Sequence, residues 1–148
     1  MQKGSGKENV FDLSTELKNV MFSDVGIYRN EKDMQSALEK VREIKSRFNE
    51  IRVSDTGKIF NTDVLETFEL GCLLDLAEVT ATAALNRTET RGGHAREDYD
   101  KRDDVNWLNH SMAFRADGKS DVGITYCDVK FEKKPVVITK YQPKERKY

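Results

Sequence analysis

The chain reads as a mainly α domain: an up-down-up three-helix bundle, then a small β-hairpin and an extended C-terminal tail. Two observations predict this. Apolar residues recur at steps of three and four in three successive segments, separated by polar or glycine-containing breaks, which is a helical period. Beyond Arg87 that period disappears and short runs of strand formers replace it. A length of 148 residues suits one domain with its own core.

Residues 1–8 are polar and glycine-rich, which suits a flexible leader or a cloning remnant, so the domain is expected over 9–148. The first helix is expected at about 9–22, where Val10, Leu13, Leu17, Val20 and Met21 share one face. Gly26 ends that pattern. The second is expected at about 31–51. Asn30 is its N-cap, and Glu31 and Asp33 suit the positive pole of the helix. Met34, Ala37, Val41, Ile44, Phe48 and Ile51 form a heptad-like seam opposite a Lys, Arg and Glu face.

Asp55-Thr56-Gly57 is turn material. The third helix is expected at about 61–87, capped by Asn61 or Thr62 with Asp63 in its first turn. Apolar residues from Val64 to Val79 cover more than half its circumference. Such a helix must be covered on two sides, so it either lies between the other two or meets a surface outside this chain. Residues 88–106 read as a loop. Trp107–Phe114 and Val122–Val129 read as a hairpin turning at 116–119, and the basic segment from Pro135 to Tyr148 as a tail.

Charged residues make up 34% and hydrophobic residues 37%, with a net charge of −1. That balance offers no bulk field for nucleic acid or an anionic membrane. No apolar run has membrane-spanning length, and the N-terminus lacks a signal-peptide core, so no membrane insertion is expected. Cys72 and Cys127 lie far apart in different kinds of segment, which suits reduced thiols in a cytoplasm.

The chemistry concentrates in residues 90–107, TRGGHAREDYDKRDDVNW, with the single tryptophan, Trp107. Nucleotide-binding, metalloprotease, serine-hydrolase and dithiol motifs are absent. Gly92-Gly93 follows a helix rather than a strand, so it is not a dinucleotide fingerprint. Asp98-x-Asp100 begins like a calcium loop, but Asp103 and Asn109 occupy the places of its glycine and bidentate glutamate. His94, His110, Cys72 and Cys127 have no zinc spacing. His94 could titrate near neutrality, and Arg91 and Arg96 could clamp a carboxylate. The favoured reading is instead that Arg91, His94 and Arg96 fix a loop by charge-assisted hydrogen bonds to Asp98, Asp103 and Asp104, with no metal.

The run Arg91-Gly92-Gly93-His94-Ala95-Arg96-Glu97-Asp98-Tyr99, then Arg102-Asp103-Asp104 and Trp107, closely resembles a segment of the succinate dehydrogenase and fumarate reductase flavoproteins. That segment usually reads R-G-A-H-x-R-x-D-[FY]-P-x-R-D-D-x-x-W. The resemblance extends from the helices to Tyr148. Gly93 stands where alanine is usual and Asp100 where proline is usual.

The resemblance implies a spectrin-repeat-like bundle forming the C-terminal domain of the flavoprotein subunit, most closely that of succinate dehydrogenase. In that family the whole subunit carries FAD covalently on a histidine of its N-terminal domain. It oxidises succinate to fumarate and passes electrons through an iron–sulfur subunit to quinone. The FAD-binding and capping domains supply the dicarboxylate ligands, so neither catalytic nor FAD-binding residues are expected here, and the fragment alone should be inactive. The implied partners are those two domains, the iron–sulfur subunit and the membrane anchor. The implied location is peripheral, on the inner face of a plasma membrane or the matrix face in mitochondria. Arg91, Gly92, Gly93, His94, Arg96, Asp98, Arg102, Asp103, Asp104 and Trp107 then form an interdomain docking edge. Arg91 and His94 would cross the boundary, Arg96 with Asp98 and Arg102 with Asp103 or Asp104 would lock the loop shape, and Trp107 would anchor the loop to the bundle. The rival readings are the same domain of a fumarate reductase, L-aspartate oxidase or adenylylsulfate reductase, or a free-standing three-helix adaptor.

Overall fold

The computed structural model describes residues 6–115 and 129–135, with side chains described as far as residue 112. The three expected helices are present. Helix α1, Val10–Ser23, starts at Asn9, whose side chain accepts the Phe11 amide at 2.8 Å. Helix α2, Glu31–Arg47, starts at Asn30, which accepts the Asp33 amide at 2.9 Å. Helix α3, Thr62–Asn86, starts at Asn61, which accepts the Val64 amide at 3.0 Å.

Ion pairs fix the helix directions. Arg47, at the end of α2, pairs with Glu8, which precedes α1, and with Glu16 in the first half of α1. The start of α2 lies beside the end of α3, because Asp98 accepts the Glu31 amide while Arg96 binds the Ala84 carbonyl. The bundle therefore runs up, down, up. Leu13, Met34, Ala37, Val41, Ile44 and Ala81 have no solvent exposure, and Leu70 and Leu74 have 1% each. Between α2 and α3 lies an ion cluster with Lys45 and Glu78 buried at its centre. Lys45 meets Glu78 at 2.6 Å and Asp75 at 2.7 Å, and Arg42 meets Glu78 at 3.1 Å. Burial pulls the Lys45 ammonium down, but the two carboxylates outweigh it and hold it above the ordinary lysine value.

Three boundaries differ from expectation. The seam predicts that α2 continues to 51, but the helix stops at Arg47 and one 3₁₀ turn, Phe48–Glu50, follows. Backbone pairing explains the stop. The Glu8 amide donates to the Glu50 carbonyl at 3.1 Å, and the Arg52 amide to the Glu8 carbonyl at 3.0 Å. Continued helix would forgo both bonds, and Ile51 is buried without it. Glu8, expected in the leader, is thus tied into the fold.

The third difference is in the hairpin. Strand β1, Tyr28–Arg29, pairs in parallel with β2, Ala95–Arg96, inside the region expected to be loop. Strand β3, Asn109–Arg115, pairs antiparallel with β4, Val129–Pro135, in the register Asn109↔Pro135 to Arg115↔Val129. The second strand is expected at Val122–Val129, of which 122–128 lie outside the described residues. Strand propensity identifies strand formers, but cross-strand fit sets register. Pro135 ends β4, where its missing N–H costs least. The expected turn at 116–119 and the tail beyond 135 lie outside the described residues.

Ile44→Ala should cost about 3 kcal/mol, because it hollows a fully buried site between helices. Urea denaturation should show a lower midpoint with an unchanged slope.

Candidate functional site

A helix leaves its last carbonyls without intrahelical partners. At the end of α3 these are met by Arg96, which is 2% exposed. Its Nη1 donates to the carbonyls of Ala84, Leu85 and Arg87 at 3.3, 3.1 and 3.2 Å. Its other edge grips Asp98 in a bidentate pair, Nε to Oδ1 at 2.6 Å and Nη2 to Oδ2 at 2.7 Å. Asp98 Oδ2 also accepts the Glu31 amide, the first of α2, at 2.8 Å. The cation thus lies at a negative helix pole and the anion at a positive one. The bonds from Arg96, aided by the Glu31 amide, overcome burial and hold the Asp98 carboxyl down at about 2.

Strand β2 carries this pair into place. The Ala95 amide donates to the Ile27 carbonyl at 3.2 Å and the Glu97 amide to the Arg29 carbonyl at 2.8 Å. Arg29 Nη1 lies 2.7 Å from His94 Nδ1, and His94 Nε2 lies 2.9 Å from the Arg87 carbonyl. A guanidinium only donates, so Nδ1 must accept and Nε2 must carry the proton. Burial, then the charges of Arg29, Arg96 and Arg87, push the His94 pKa below the ordinary histidine value, although the Arg87 carbonyl opposes them. His94 is therefore a neutral strut rather than a proton donor at neutral pH.

Between Arg91 and His94 the backbone reverses in two residues. Their amides and carbonyls bond reciprocally at 2.9 and 3.1 Å. Gly92 has φ +61°, the conformation such a turn favours in glycine. Gly92 and Gly93 are exposed, and a Cβ on either would touch nothing within 4 Å.

Beneath the turn lies Glu89, fully buried. It accepts from Arg87 at 2.9 Å, from Arg91 at 2.8 and 3.0 Å, and from the Asp103 amide at 2.8 Å. Arg91 also donates to Asp104 at 2.7 Å. The bonds to Glu89 outweigh burial and, with those to Asp104, hold Arg91 above the ordinary arginine value. Arg102 meets Asp104 at 2.8 Å. Asp103 accepts the Val105 and Asn106 amides at 3.0 and 2.9 Å and so turns the chain. Trp107 is 5% exposed. Its Nε1 donates to Thr88 at 2.9 Å, and the Arg87 guanidinium lies 5.2 Å from its ring centroid.

Every residue expected on the edge is in this one assembly. Arg96 with Asp98 and Arg102 with Asp104 pair as expected, and Trp107 anchors the loop to the end of α3. Arg91 and His94 are hydrogen-bonded within the chain, and the outermost surface between them belongs to Gly92 and Gly93. Sequence reasoning missed Arg29, Arg87 and Glu89. Arg87 and Arg91 lie two residues to either side of Glu89 and could have been read as a charge triad. Nothing local links Arg29 to His94.

The described residues do not fit a flavin cradle. A pyrophosphate is best held at an open helix N-terminus, and the three here are capped by Asn9, Asn30 and Asn61. The glycine turn lies instead at the carbonyl end of α3. Among the described residues, no group of three or more His, Cys, Asp or Glu could hold a metal ion.

Fold and loop together define a helical domain that carries an ion-paired β-turn beside the end of its third helix. The family described as "Fumarate reductase flavoprotein C-term" matches residues 14–148, and the chain belongs to that family. It is 43% identical over 148 residues to the fumarate reductase flavoprotein subunit of Haemophilus influenzae, covering 100% of this chain and 23% of the relative. To the succinate dehydrogenase flavoprotein subunit of Coxiella burnetii it is 36% identical over 145 residues, covering 98% and 24%. A solved Escherichia coli quinol fumarate reductase superposes with a TM-score of 0.86 at 37% identity, covering 98% of this chain and 24% of that one. The chain thus spans about a quarter of the length of the relatives it matches.

Asp98→Asn should cost about 2 kcal/mol at pH 7, because it weakens a charge-assisted pair at two helix poles. The folded pKa of Asp98 lies below its ordinary 3.8, so the pair contributes fully above pH 3.8. That contribution is lost as pH falls toward 2. Acid unfolding of the wild type should steepen across that window, and the variant should lack the added steepness. Gly92→Ala should cost about 1 kcal/mol, because alanine is strained at φ +61°. Gly93→Ala should be neutral or stabilise by about 0.5 kcal/mol. Thermal melts of the two variants should move in opposite directions or by clearly different amounts.

Proposed function

We propose that the chain is the C-terminal domain of an FAD-dependent flavoprotein that interconverts succinate and fumarate, and that residues 91–107 dock it onto the flavin-carrying body of the same polypeptide. The observation that carries this reading is the family match across 14–148, which contains the whole loop. Identity to named fumarate reductase and succinate dehydrogenase flavoprotein subunits supports the activity. Succinate dehydrogenase was the leading expectation from sequence. Relatives of both names, at 43% for a fumarate reductase and 36% for a succinate dehydrogenase, support the interconversion without favouring a direction.

The capping domain, an iron–sulfur subunit and a membrane anchor complete the proposed assembly, and electrons pass between flavin and quinone through it. The E. coli structure, titled a quinol fumarate reductase, supports a quinol-linked complex. No described helix is long and apolar enough to cross a membrane, which suits peripheral attachment at the inner face. FAD supplies hydride transfer to and from the dicarboxylate and belongs to the body. The residues here hold the edge in shape. Arg96 and Asp98 fix the loop to two helices, Glu89 and Arg91 fix the turn, and the turn meets the body.

Gly93→Trp separates docking from folding. In this chain the position is open, so the variant should fold with an unchanged circular dichroism spectrum and melting midpoint. In the complete flavoprotein it should reduce flavin content and dicarboxylate turnover at least ~10-fold, which corresponds to about 1.4 kcal/mol of lost docking. Unchanged flavin content and turnover in both directions would remove the docking role.

A further inference from the structure

Away from the loop, the least expected surface is on α3. Its buried row, Thr67, Leu70, Leu74, Ala77, Ala81 and Ala84, faces the other two helices. A second row, Leu65, Phe68, Cys72 and Leu76, steps by three, four and four along the outward side, so its members adjoin one another. Leu65, Phe68 and Leu76 are 54, 65 and 62% exposed, and Cys72 is exposed among them. Just before the helix, Phe60 is 95% exposed at φ +52°, a strained conformation for a bulky residue. A continuous apolar strip on a folded domain marks a contact surface.

We propose that this strip is a second, apolar contact with the flavin-carrying body of the same polypeptide, and that the body meets it with an apolar surface rimmed by Lys or Arg. The proposal rests on the reading given under Proposed function. Length supports this occupant, because the chain spans 23% of its H. influenzae relative and the remaining three-quarters of such a protein must lie somewhere against it. Charge supports it independently. From Thr62 to Asn86 there are five acids, Asp63, Glu66, Glu69, Asp75 and Glu78, and no Lys or Arg. Asp75 and Glu78 are neutralised by Lys45 and Arg42 of α2, whereas Glu66 and Glu69 flank the outward strip. Two copies joined strip to strip would bring two wholly acidic helices together, so a basic-rimmed partner is favoured over a second copy. The strip and the turn also lie along one helix and its direct continuation, so a single body can cover both.

Cys72 lies within the strip and reports on its cover. The complete flavoprotein, purified without its partner subunits, is treated with N-ethylmaleimide, and the Cys72 peptide is followed by mass spectrometry, native against urea-unfolded. Flavin content, turnover and sedimentation mass are read on the same sample. The expected result is a flavin-loaded monomer in which Cys72 reacts at least ~100-fold more slowly than when unfolded. A flavin-loaded, active monomer whose Cys72 reacts within a few-fold of the unfolded rate overturns the proposal. So does protection that appears only with concentration-dependent dimerisation, which would assign the strip to a second copy. A complete protein that binds no flavin overturns the parent reading instead and removes this occupant with it. Phe68→Lys gives a second measure. It should lower the melting midpoint of the complete protein by several degrees and leave that of the 148-residue chain unmoved; equal shifts in the two, or none in either, overturn the proposal.

Discussion

The guanidinium of Arg96 closes this domain by binding two helix poles at once. One face satisfies the last carbonyls of α3, and the other holds the carboxylate that accepts the first amide of α2. Only a planar, forked cation can address three carbonyls on one edge and a carboxylate on the other, so lysine could not replace it. Its 2% exposure makes the pairing obligatory. Without Asp98 the cation would keep three carbonyl dipoles and lose its counter-charge, which is the costly way to break a buried pair. The antiparallel arrangement of α2 and α3 creates the site, because it brings opposite helix poles side by side.

From that anchor the remaining charges fall into order. Arg29, Arg87, Arg91 and Arg96 crowd a small volume, and their mutual repulsion is relieved in two ways. Glu89, Asp98 and Asp104 supply anions, and backbone carbonyls at the end of α3 and around 25–26 supply dipoles. His94 stays neutral between Arg29 and the Arg87 carbonyl because a further cation there would be repelled on several sides. This is the electrostatics of a fixed shape. Catalytic groups need a lone pair or proton free to move toward a substrate, whereas here the arginine, glutamate and histidine groups are engaged with one another.

Local patterns made the helices legible. Asn30 and Asn61 announced two of them, and three- and four-residue steps located all three. The same steps misled at Phe48 and Ile51, where the seam continues but the backbone leaves the helix to pair with Glu8. That competitor lies some forty residues upstream and has no periodic signature. Within the loop, Arg96–Asp98 and Arg102–Asp104 were legible because opposite charges stand two residues apart in the sequence. Glu89 was missed because it lies outside the charge-dense run, and Arg29 because only the parallel pairing of 28–29 with 95–96 brings it near His94. Composition draws the partner strand to 122–129, whose strand formers outnumber those of 129–135, whereas the described register runs over 129–135.

The rigidity of the loop bears on its use. A docking edge that had to order on contact would lose conformational entropy at that moment, at about 1–2 kcal/mol for each backbone residue fixed. Here the ordering is complete within the domain, through ion pairs, a parallel strand pair and a buried tryptophan. The turn at Gly92-Gly93 then presents bare backbone on a stiff support, and a facing surface can approach it to main-chain distance. The outward strip of α3 is equally fixed, because the helix that carries it buries its other face against α1 and α2. Polar turn and apolar strip thus belong to one rigid piece of chain that runs through the end of α3. In the proposed assembly a body that fits one would already be placed to fit the other, and the two contacts would reinforce each other without further loss of freedom.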